Sequence, residues 1–510
     1  MRPEAGAPLP LWAAIVIAAA SGPVMDAGFP DKGIWPLTFV GIGMVLLTLV
    51  GRRVGSSLLV GFVAGASFYF THIFWASLFL GPLPMSALAV LQSLFFAAGA
   101  AAITLAYRWV PTAWPSAIGR LGLLPLVVAG LWTAREAWAS VWPYGGFAWG
   151  RVALSQSDSP FSPLFAWLGI SGVSFVMVLV VGVSLEAVRV AGMSRLVRLG
   201  IPVALATVLL VIPAWPVPTD GSLRVAAVQG NGRAGYFDGS TANELLQAQL
   251  SATEPLFGED VDVVLWPEGT TYRDPLTDRY TAQVFDYVSE QMDAPLVAQG
   301  VTERAGRNYN TVMLWQAGMG ALDLYDKKHP VPFGEYIPDR EFWRPFAPDL
   351  IDLIQREYTP GTTDAVFDLG GDLAGVLVGV NICFDIIDDQ LLTESVEQGA
   401  QVIFASSNNA DFGRTDESAQ QLAVARIRAI ELGRSVVNIS TVGISAVIAP
   451  DGSIVAELPW FTAGTMVEDV ALSSVATPAL LAGRQLEWLV SGFGLAALLI
   501  AGFAAKRRRA

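Results

Sequence analysis

The sequence predicts a bundle of membrane-spanning helices joined to a large α/β layered domain. Three observations predict it. Apolar runs of helix-spanning length fill residues 1–215; from 216 to 480 the texture changes to short β-rich segments separated by polar, helix-compatible stretches; and a last apolar run with a basic end closes the chain at 481–510. With 53% hydrophobic residues, only 15% charged and a mean hydropathy of +0.49, the chain is too apolar to be wholly soluble. A net charge of −14 argues against a nucleic-acid partner, because no basic patch offsets phosphate repulsion. Two histidines (His72, His329) and one cysteine leave too few ligands for a usual transition-metal site, so no metal and no cofactor is expected.

In the first 215 residues the apolar runs are 9–27, 34–51, 57–80, 85–107, 122–139, 164–188 and 199–215, read as seven transmembrane helices. The first is interrupted by Ser21-Gly22-Pro23. With a cytoplasmic N-terminus, the inner loops hold Arg2, Arg52, Arg53, Arg108, Arg120, Arg189, Arg195 and Arg198, and the outer loops only Lys32 and Arg151, as the positive-inside rule expects. Gly61 and Gly65 form a GxxxG spacing suited to close helix packing. Arg135-Glu136 lies within the fifth run, either as a mutual ion pair or as a lipid-headgroup site. The outer loop 140–163 carries Trp142, Tyr144, Phe147 and Trp149, read as interface anchors that also suit a lipid entrance.

Seven crossings from inside deliver the chain outside at about residue 216. Expected strands are 224–229, 261–267, 295–301, 311–316, 322–327, 374–382, 401–406, 436–440 and 445–449, with helices near 241–254, 277–291, 388–398 and 416–433. Apparent hairpins at 309–327 and 435–458 point to a mixed sheet. The run 488–505, followed by Lys506-Arg507-Arg508-Arg509, reads as an eighth span with a cytoplasmic end.

Cys383 is the only cysteine and stands where an apolar strand hands over to a loop. It is either a small buried hydrophobe or a nucleophile, and a nucleophile needs a base and a positive charge from elsewhere in the chain. Two other strand ends offer them: Trp266-Pro267-Glu268-Gly269, and Lys327 with Glu335 eight residues on. A glutamate base, a lysine beside the thiolate and oxyanion, and a cysteine attacking an acyl carbon form a set that requires neither histidine nor metal.

These motifs, in this order, resemble the nitrilase superfamily of carbon–nitrogen hydrolases. Within it, Phe333-Gly334-Glu335 and the preceding membrane spans resemble the apolipoprotein N-acyltransferases over nearly the whole chain. The likeness extends to Gly146-Phe147-Ala148-Trp149 with Ser155-Gln156, Val228-Gln229-Gly230-Asn231, Asn408-Asn409-Ala410 with Phe412-Gly413, and 425–434. The resemblance implies a four-layer αββα sandwich on a membrane bundle. It implies Glu268 as general base, Lys327 as oxyanion-stabilising cation, Cys383 as nucleophile and Glu335 as a supporting glutamate. Phe384, Asp385, Trp266, Tyr236, Asn408 and Trp149 are the substrate-binding candidates. The chain departs from the family pattern in having Cys383-Phe384-Asp385 where Cys-Tyr-Glu is common, in lacking a tryptophan after the first domain strand, where Tyr236 and Phe237 are the nearest aromatics, and in carrying Asp411 in place of tryptophan.

The activity so implied is ping-pong. Cys383 takes an acyl chain from a phospholipid as a thioester, then passes it to the α-amino group of the lipid-modified N-terminal cysteine of an apolipoprotein. The partners expected are the phospholipid donor, the apolipoprotein acceptor and the bilayer, with the chain a monomer in the bacterial cytoplasmic membrane and its α/β domain on the outer side. The alternatives are a membrane-anchored amidase acting on a small C–N substrate and a catalytically altered homologue acting as a scaffold.

Overall fold

The computed structural model describes residues 7–190, 193–238 and 242–509; Arg2 and the start of the helix expected at 241 lie outside them. The chain forms two compact units, Met1–Trp215 with Thr477–Ala510, and Pro216–Ala476.

The first unit is helical: α1 (Leu11–Asp26), α2 (Pro36–Leu49), α3 (Val54–His72), α4 (Ser77–Leu80), α5 (Pro82–Ala113), α6 (Leu124–Ala139), α7 (Leu164–Arg189), α8 (Arg195–Leu210) and the C-terminal helix Pro478–Arg509. Each expected apolar run carries a helix. Four helices, α3, α5, α7 and the C-terminal one, are long and apolar enough to cross a membrane, while α1 and α2 are shorter apolar helices. The run 57–80 is not one helix, because α3 stops at His72, whose ring engages Asp26 at the end of α1 (3.1 Å) and the Trp149 carbonyl (3.3 Å).

Pro23 does not break α1. Its missing N–H leaves the Ala19 carbonyl open, and the Ser67 hydroxyl of α3 donates to that carbonyl instead. Gly61 and Gly65 seat α3 against α5 so closely that an added Cβ would meet Ala100 Cβ at 2.4 Å and Phe96 Cβ at 2.7 Å. Arg135 and Glu136 form the mutual pair (3.3 Å): Glu136 also accepts from Trp132 Nε1 (2.8 Å) and the Val152 N–H (3.2 Å), and the guanidinium lies over the Phe96 ring (4.5 Å).

The second unit holds twelve strands in two six-stranded sheets. The strands are β1 (Ser222–Gln229), β2 (Val263–Leu265), β3 (Leu296–Arg304), β4 (Arg307–Gln316), β5 (Gly320–Asp326), β6 (Val366–Gly370), β7 (Leu373–Ile382), β8 (Val402–Ser407), β9 (Ser435–Ser440), β10 (Ser445–Ile448), β11 (Ile454–Leu458) and β12 (Gly464–Ala471). The helices are α9 (Ala242–Thr253), α10 (Arg279–Met292), α11 (Arg340–Trp343), α12 (Pro348–Ile351), α13 (Asp389–Glu397) and α14 (Glu417–Leu432). One sheet runs β12-β1-β2-β3-β4-β5 and the other β6-β7-β8-β9-β10-β11. Read in those directions, both show the same succession of pairings: antiparallel, parallel, parallel, antiparallel, antiparallel.

Period-two alternation builds the layers. Leu223, Val225, Ala227, Val263, Leu265, Val312 and Leu314 face the second sheet's Val378, Val380, Ile382, Val402, Phe404 and Val437. The alternate residues Ala226, Val228, Val264, Trp266, Met313 and Trp315 face outward against Leu246, Leu250, Val284, Phe285 and Val288 of α9 and α10. Because α13 and α14 pack on β7, β9 and β10, the unit is the αββα sandwich, with mixed sheets as the hairpins imply. Strands β6 and β12, absent from the sequence reading, are edge strands, and their Asp368, Glu468 and Asp469 interrupt the apolar pattern as edge strands commonly do.

Candidate active site

Glu268, Lys327, Glu335 and Cys383 converge where strands of the two sheets end. Leaving β2, Trp266 locks the strand end: it is fully buried, its ring edge meets Phe285 (5.7 Å between centroids) and its Nε1 donates to Thr253 Oγ1 (3.1 Å). The chain then turns at Gly269, whose φ of +74° favours glycine, and the Gly269 N–H donates to Gln299 Oε1 (2.7 Å). Glu268, between them, projects its half-buried carboxylate inward while its carbonyl accepts from the Thr441 hydroxyl.

Asn310 on β4 ties the acids together. Its Nδ2 donates to Glu268 Oε1 (2.8 Å) and to Glu335 Oε1 (3.0 Å), and its Oδ1 accepts from Gln299 Nε2 (2.5 Å). Lys327 follows β5 directly, its N–H donating to the Asn310 carbonyl (2.9 Å). Its side chain is only 1% exposed, with Nζ 2.8 Å from Glu335 Oε2, an oxygen that also accepts from the Val331 N–H (2.6 Å).

Cys383 opens a 3₁₀ turn (Cys383–Ile387) at the end of β7 with a φ of +51°, a region that non-glycine residues rarely occupy and that costs on the order of 1 kcal/mol. Asp385 holds this turn from beneath: its Oδ2 accepts from the Ile382 N–H (3.1 Å) and from the Tyr325 hydroxyl (3.0 Å). From the other side the Cys383 carbonyl accepts from Gln421 Nε2 (3.3 Å), and Gln421 is itself held, with Glu417, by Asn409 Nδ2 (2.6 and 2.8 Å).

One buried ammonium thus faces several carboxyl groups, and burial decides where protons sit. Burial, reinforced by the Glu335 charge, pushes Glu268 above the usual carboxylate range against the pull of Lys327 and of the Asn310 and Cys383 hydrogen bonds. Burial, reinforced by the Glu268 charge, pushes the Cys383 thiol well above its usual value against the pull of Lys327. Burial likewise raises Asp385 to about 7 and Glu417 to about 8. For Lys327 burial favours the neutral amine, but Glu335, Glu268, Cys383 and Asp385 outweigh it and hold the ammonium above its ordinary range. At neutral pH the pocket therefore holds a fixed cation and a protonated sulfur, with Glu268 hydrogen-bonded to that sulfur.

The other candidates have other places. Trp266 and Asp385 do not face a ligand: one is core, the other lies under the nucleophile turn. The Asn408 amide joins loops, donating to the Ala234 carbonyl (2.8 Å) and accepting from the Ala410 N–H (3.1 Å). Phe384 is half-buried beside the sulfur-bearing residue. Tyr236 is exposed, its N–H bonded to Asp411 Oδ1 (2.8 Å) and its hydroxyl near the Leu353 carbonyl (3.4 Å). Trp149 belongs to the helical unit and is buried there edge-on to Trp75 (5.6 Å), away from the exposed surface an interface anchor occupies. The sequence reading missed Gln299, Asn310, Glu417 and Gln421. Gln299 and Asn310 had a signal: they are polar residues at the inward register of β3 and β4, in line with Val297 and with Val312 and Leu314.

Residues 224–478 match the family model for carbon-nitrogen hydrolases, and residues 21–183 that for the apolipoprotein N-acyltransferase N-terminal domain. The apolipoprotein N-acyltransferase of Mycolicibacterium smegmatis is 32% identical, covering 96% of this chain and 85% of that protein; the one of Azotobacter vinelandii is 27% identical over 98% and 96%. Among solved structures, Saccharomyces cerevisiae Nit3, a member of branch 10 of the nitrilase superfamily, matches at 19% identity and a TM-score of 0.38, covering 52% of this chain and 94% of that one. With both parts of the chain matched in order and a relative above 30% identity along nearly its whole length, this protein belongs to the apolipoprotein N-acyltransferase family.

Proposed function

We propose that the protein transfers an acyl chain from a membrane phospholipid, through a thioester on Cys383, to the α-amino group of the lipid-modified N-terminal cysteine of apolipoproteins. The observation that carries this reading is the Asn310 amide bonded at once to Glu268 and Glu335, with Lys327 on the other oxygen of Glu335 and Cys383 hydrogen-bonded to Glu268.

In the first half-reaction Glu268 takes the Sγ proton as the sulfur attacks the ester carbonyl, so a free thiolate need not accumulate in a site that disfavours one. The oxyanion forms against the buried Lys327 ammonium, whose charge Glu335 keeps in place. The tetrahedral adduct collapses by breaking the C–O bond, and the departing lysophospholipid oxygen recovers the proton from Glu268. In the second half the acceptor amine attacks the thioester, Glu268 takes the amine proton, and the C–S bond breaks to return Cys383 as thiol. Ester and amine become alcohol and amide, with no oxidant or cofactor needed. The protein acts in the bacterial cytoplasmic membrane, with the α/β unit on its outer side and eight crossings, as the apolar runs and the charge of the loops support; four of its helices are long and apolar enough to cross.

The test is incubation of purified protein with phospholipid labelled in its acyl chain. Wild type retains label on Cys383, releasable by hydroxylamine; Cys383→Ala retains none, and Glu268→Gln forms it at least 100-fold more slowly. A wild-type protein that releases free fatty acid or ammonia from small amides without ever carrying label would refute acyl transfer.

A further inference from the structure

Next to the catalytic strand ends lies a cavity of about 560 Å³ that the acyl-transfer chemistry does not use. Its walls are the start of β4, with Arg307 and Asn308, and the excursion between β5 and β6, with Arg340, Asp352, Gln355 and Glu357. Asn308 stands two residues before Asn310 on β4, hence on the same inward face and about 7 Å along the strand. The far wall is stitched to the catalytic loop: Asn308 forms a β-bridge with Tyr358, and the Tyr358 N–H donates to the carbonyl of Glu335 (2.9 Å). The cavity wall is thus tied to the acids through β4 and through the Tyr358 bridge.

Its charges are unequally available. Arg340 is consumed within the wall: its guanidinium meets Glu357 Oε1 (2.7 Å) and Asp352 Oδ1 (3.5 Å) and donates to the carbonyls of Ile351 (3.0 Å) and Ile354 (2.6 Å). Asp352 is also paired with Arg344 (2.9 Å), so two guanidinium groups match the two acids. Arg307 is exposed, and among the described residues no carboxylate lies within ion-pair distance of it. The cavity thus presents one uncompensated guanidinium flanked by the amides of Asn308 and Gln355, a donor set that suits a singly charged phosphodiester.

We infer that this cavity is the subsite for the phosphodiester headgroup of the acyl donor, with Arg307 as its anion contact. The inference rests on the acyl-transfer reading. In a glycerophospholipid only the glycerol backbone separates the reacting ester from the phosphorus, so its headgroup subsite must adjoin the acids, as the Asn308 wall does through Tyr358 and Glu335. Arg307 then sets donor choice rather than the chemistry at sulfur.

The experiment measures thioester formation on the full-length protein in mixed micelles with two donors of the same chain: a diacyl phospholipid, and the p-nitrophenyl ester of the fatty acid, which has no phosphate. Arg307→Ala is expected to raise the half-saturating phospholipid concentration about tenfold relative to that of the p-nitrophenyl ester, with Arg307→Lys in between. An unchanged ratio between the donors, whether both weaken or neither does, overturns the inference and leaves acyl transfer standing. Inorganic phosphate alone, if it stabilises wild type but not Arg307→Ala while the phospholipid shows no dependence on Arg307, assigns the cavity to a free anion and also overturns it. A wild type that forms thioester with neither donor removes the acyl-transfer reading itself and the inference with it.

Discussion

Asp385 shows how a buried acid can hold the turn that carries Cys383. Its Oδ2 gathers the Ile382 N–H and the Tyr325 hydroxyl, while Oδ1 is buried with no hydrogen-bond partner, a position suited to the proton of a neutral acid. Its folded-state proton is held up to about 7 by burial, against an ordinary value of 3.8. Between those values the folded state binds more protons than the unfolded chain, so stability is full at the acid end of the window and falls as pH rises through it. Asp385→Asn keeps the accepting oxygen and sets an amide where the proton sat. The variant is expected to match wild type in thermal midpoint near pH 5 and to exceed it above pH 7, the difference being on the order of 3 kcal/mol. Parallel melting curves from pH 5 to 8 check this; a variant equally destabilised at every pH would show that Asp385 is ionised in the fold. Phe384 was read with Asp385 as a substrate contact, and of the two only Phe384 stays a candidate.

At the scale of the element, the site depends on where strands stop. Trp266 fills the layer between the first sheet and its helices at the end of β2, and Glu268 follows beyond the strand, placed by the turn at Gly269. Truncating a fully buried tryptophan costs roughly 3–5 kcal/mol and loosens that strand end. Trp266→Ala is expected to lower the thermal midpoint and to slow thioester formation, whereas Trp266→Phe keeps most of both; equal stability of Trp266→Ala and wild type would show the strand end to be held otherwise. The order of polar residues along β3 and β4 makes the same point: Gln299 and Asn310 occupy inward positions where an apolar strand has no use for an amide; Asn310 holds both acids and Gln299 holds Asn310.

At the scale of the molecule, one chain combines a helical unit with buried polar ties and a sandwich with a buried charged site. The helical unit manages its polar groups internally, as an apolar solvent demands: Ser67 satisfies the carbonyl opened by Pro23, and Glu136 collects Arg135, Trp132 and Val152. The proposed orientation has a direct check, since Cys383 is the sole native thiol. In a Cys383→Ser background, Thr219→Cys is expected to react with a membrane-impermeant maleimide in intact cells or spheroplasts, and Ser194→Cys only after permeabilisation. The reverse pattern would invert the topology.

The sequence by itself determined the alternation of apolar runs and the strand and helix positions around the site, and it singled out Glu268, Lys327, Glu335 and Cys383 as the candidates that the fold brings together. These are local properties: hydrophobic period, motif spacing and the scarcity of histidine and cysteine. Only the tertiary structure decided which polar residues act as a group. Asn310 bridges two acids separated by 67 positions in the chain, Asp385 turns under the sulfur instead of toward a ligand, and Trp149 and Trp266 are packed away. Those outcomes depend on which face of each strand meets the other sheet and on which carboxyl groups lose water together, and no linear spacing encodes either.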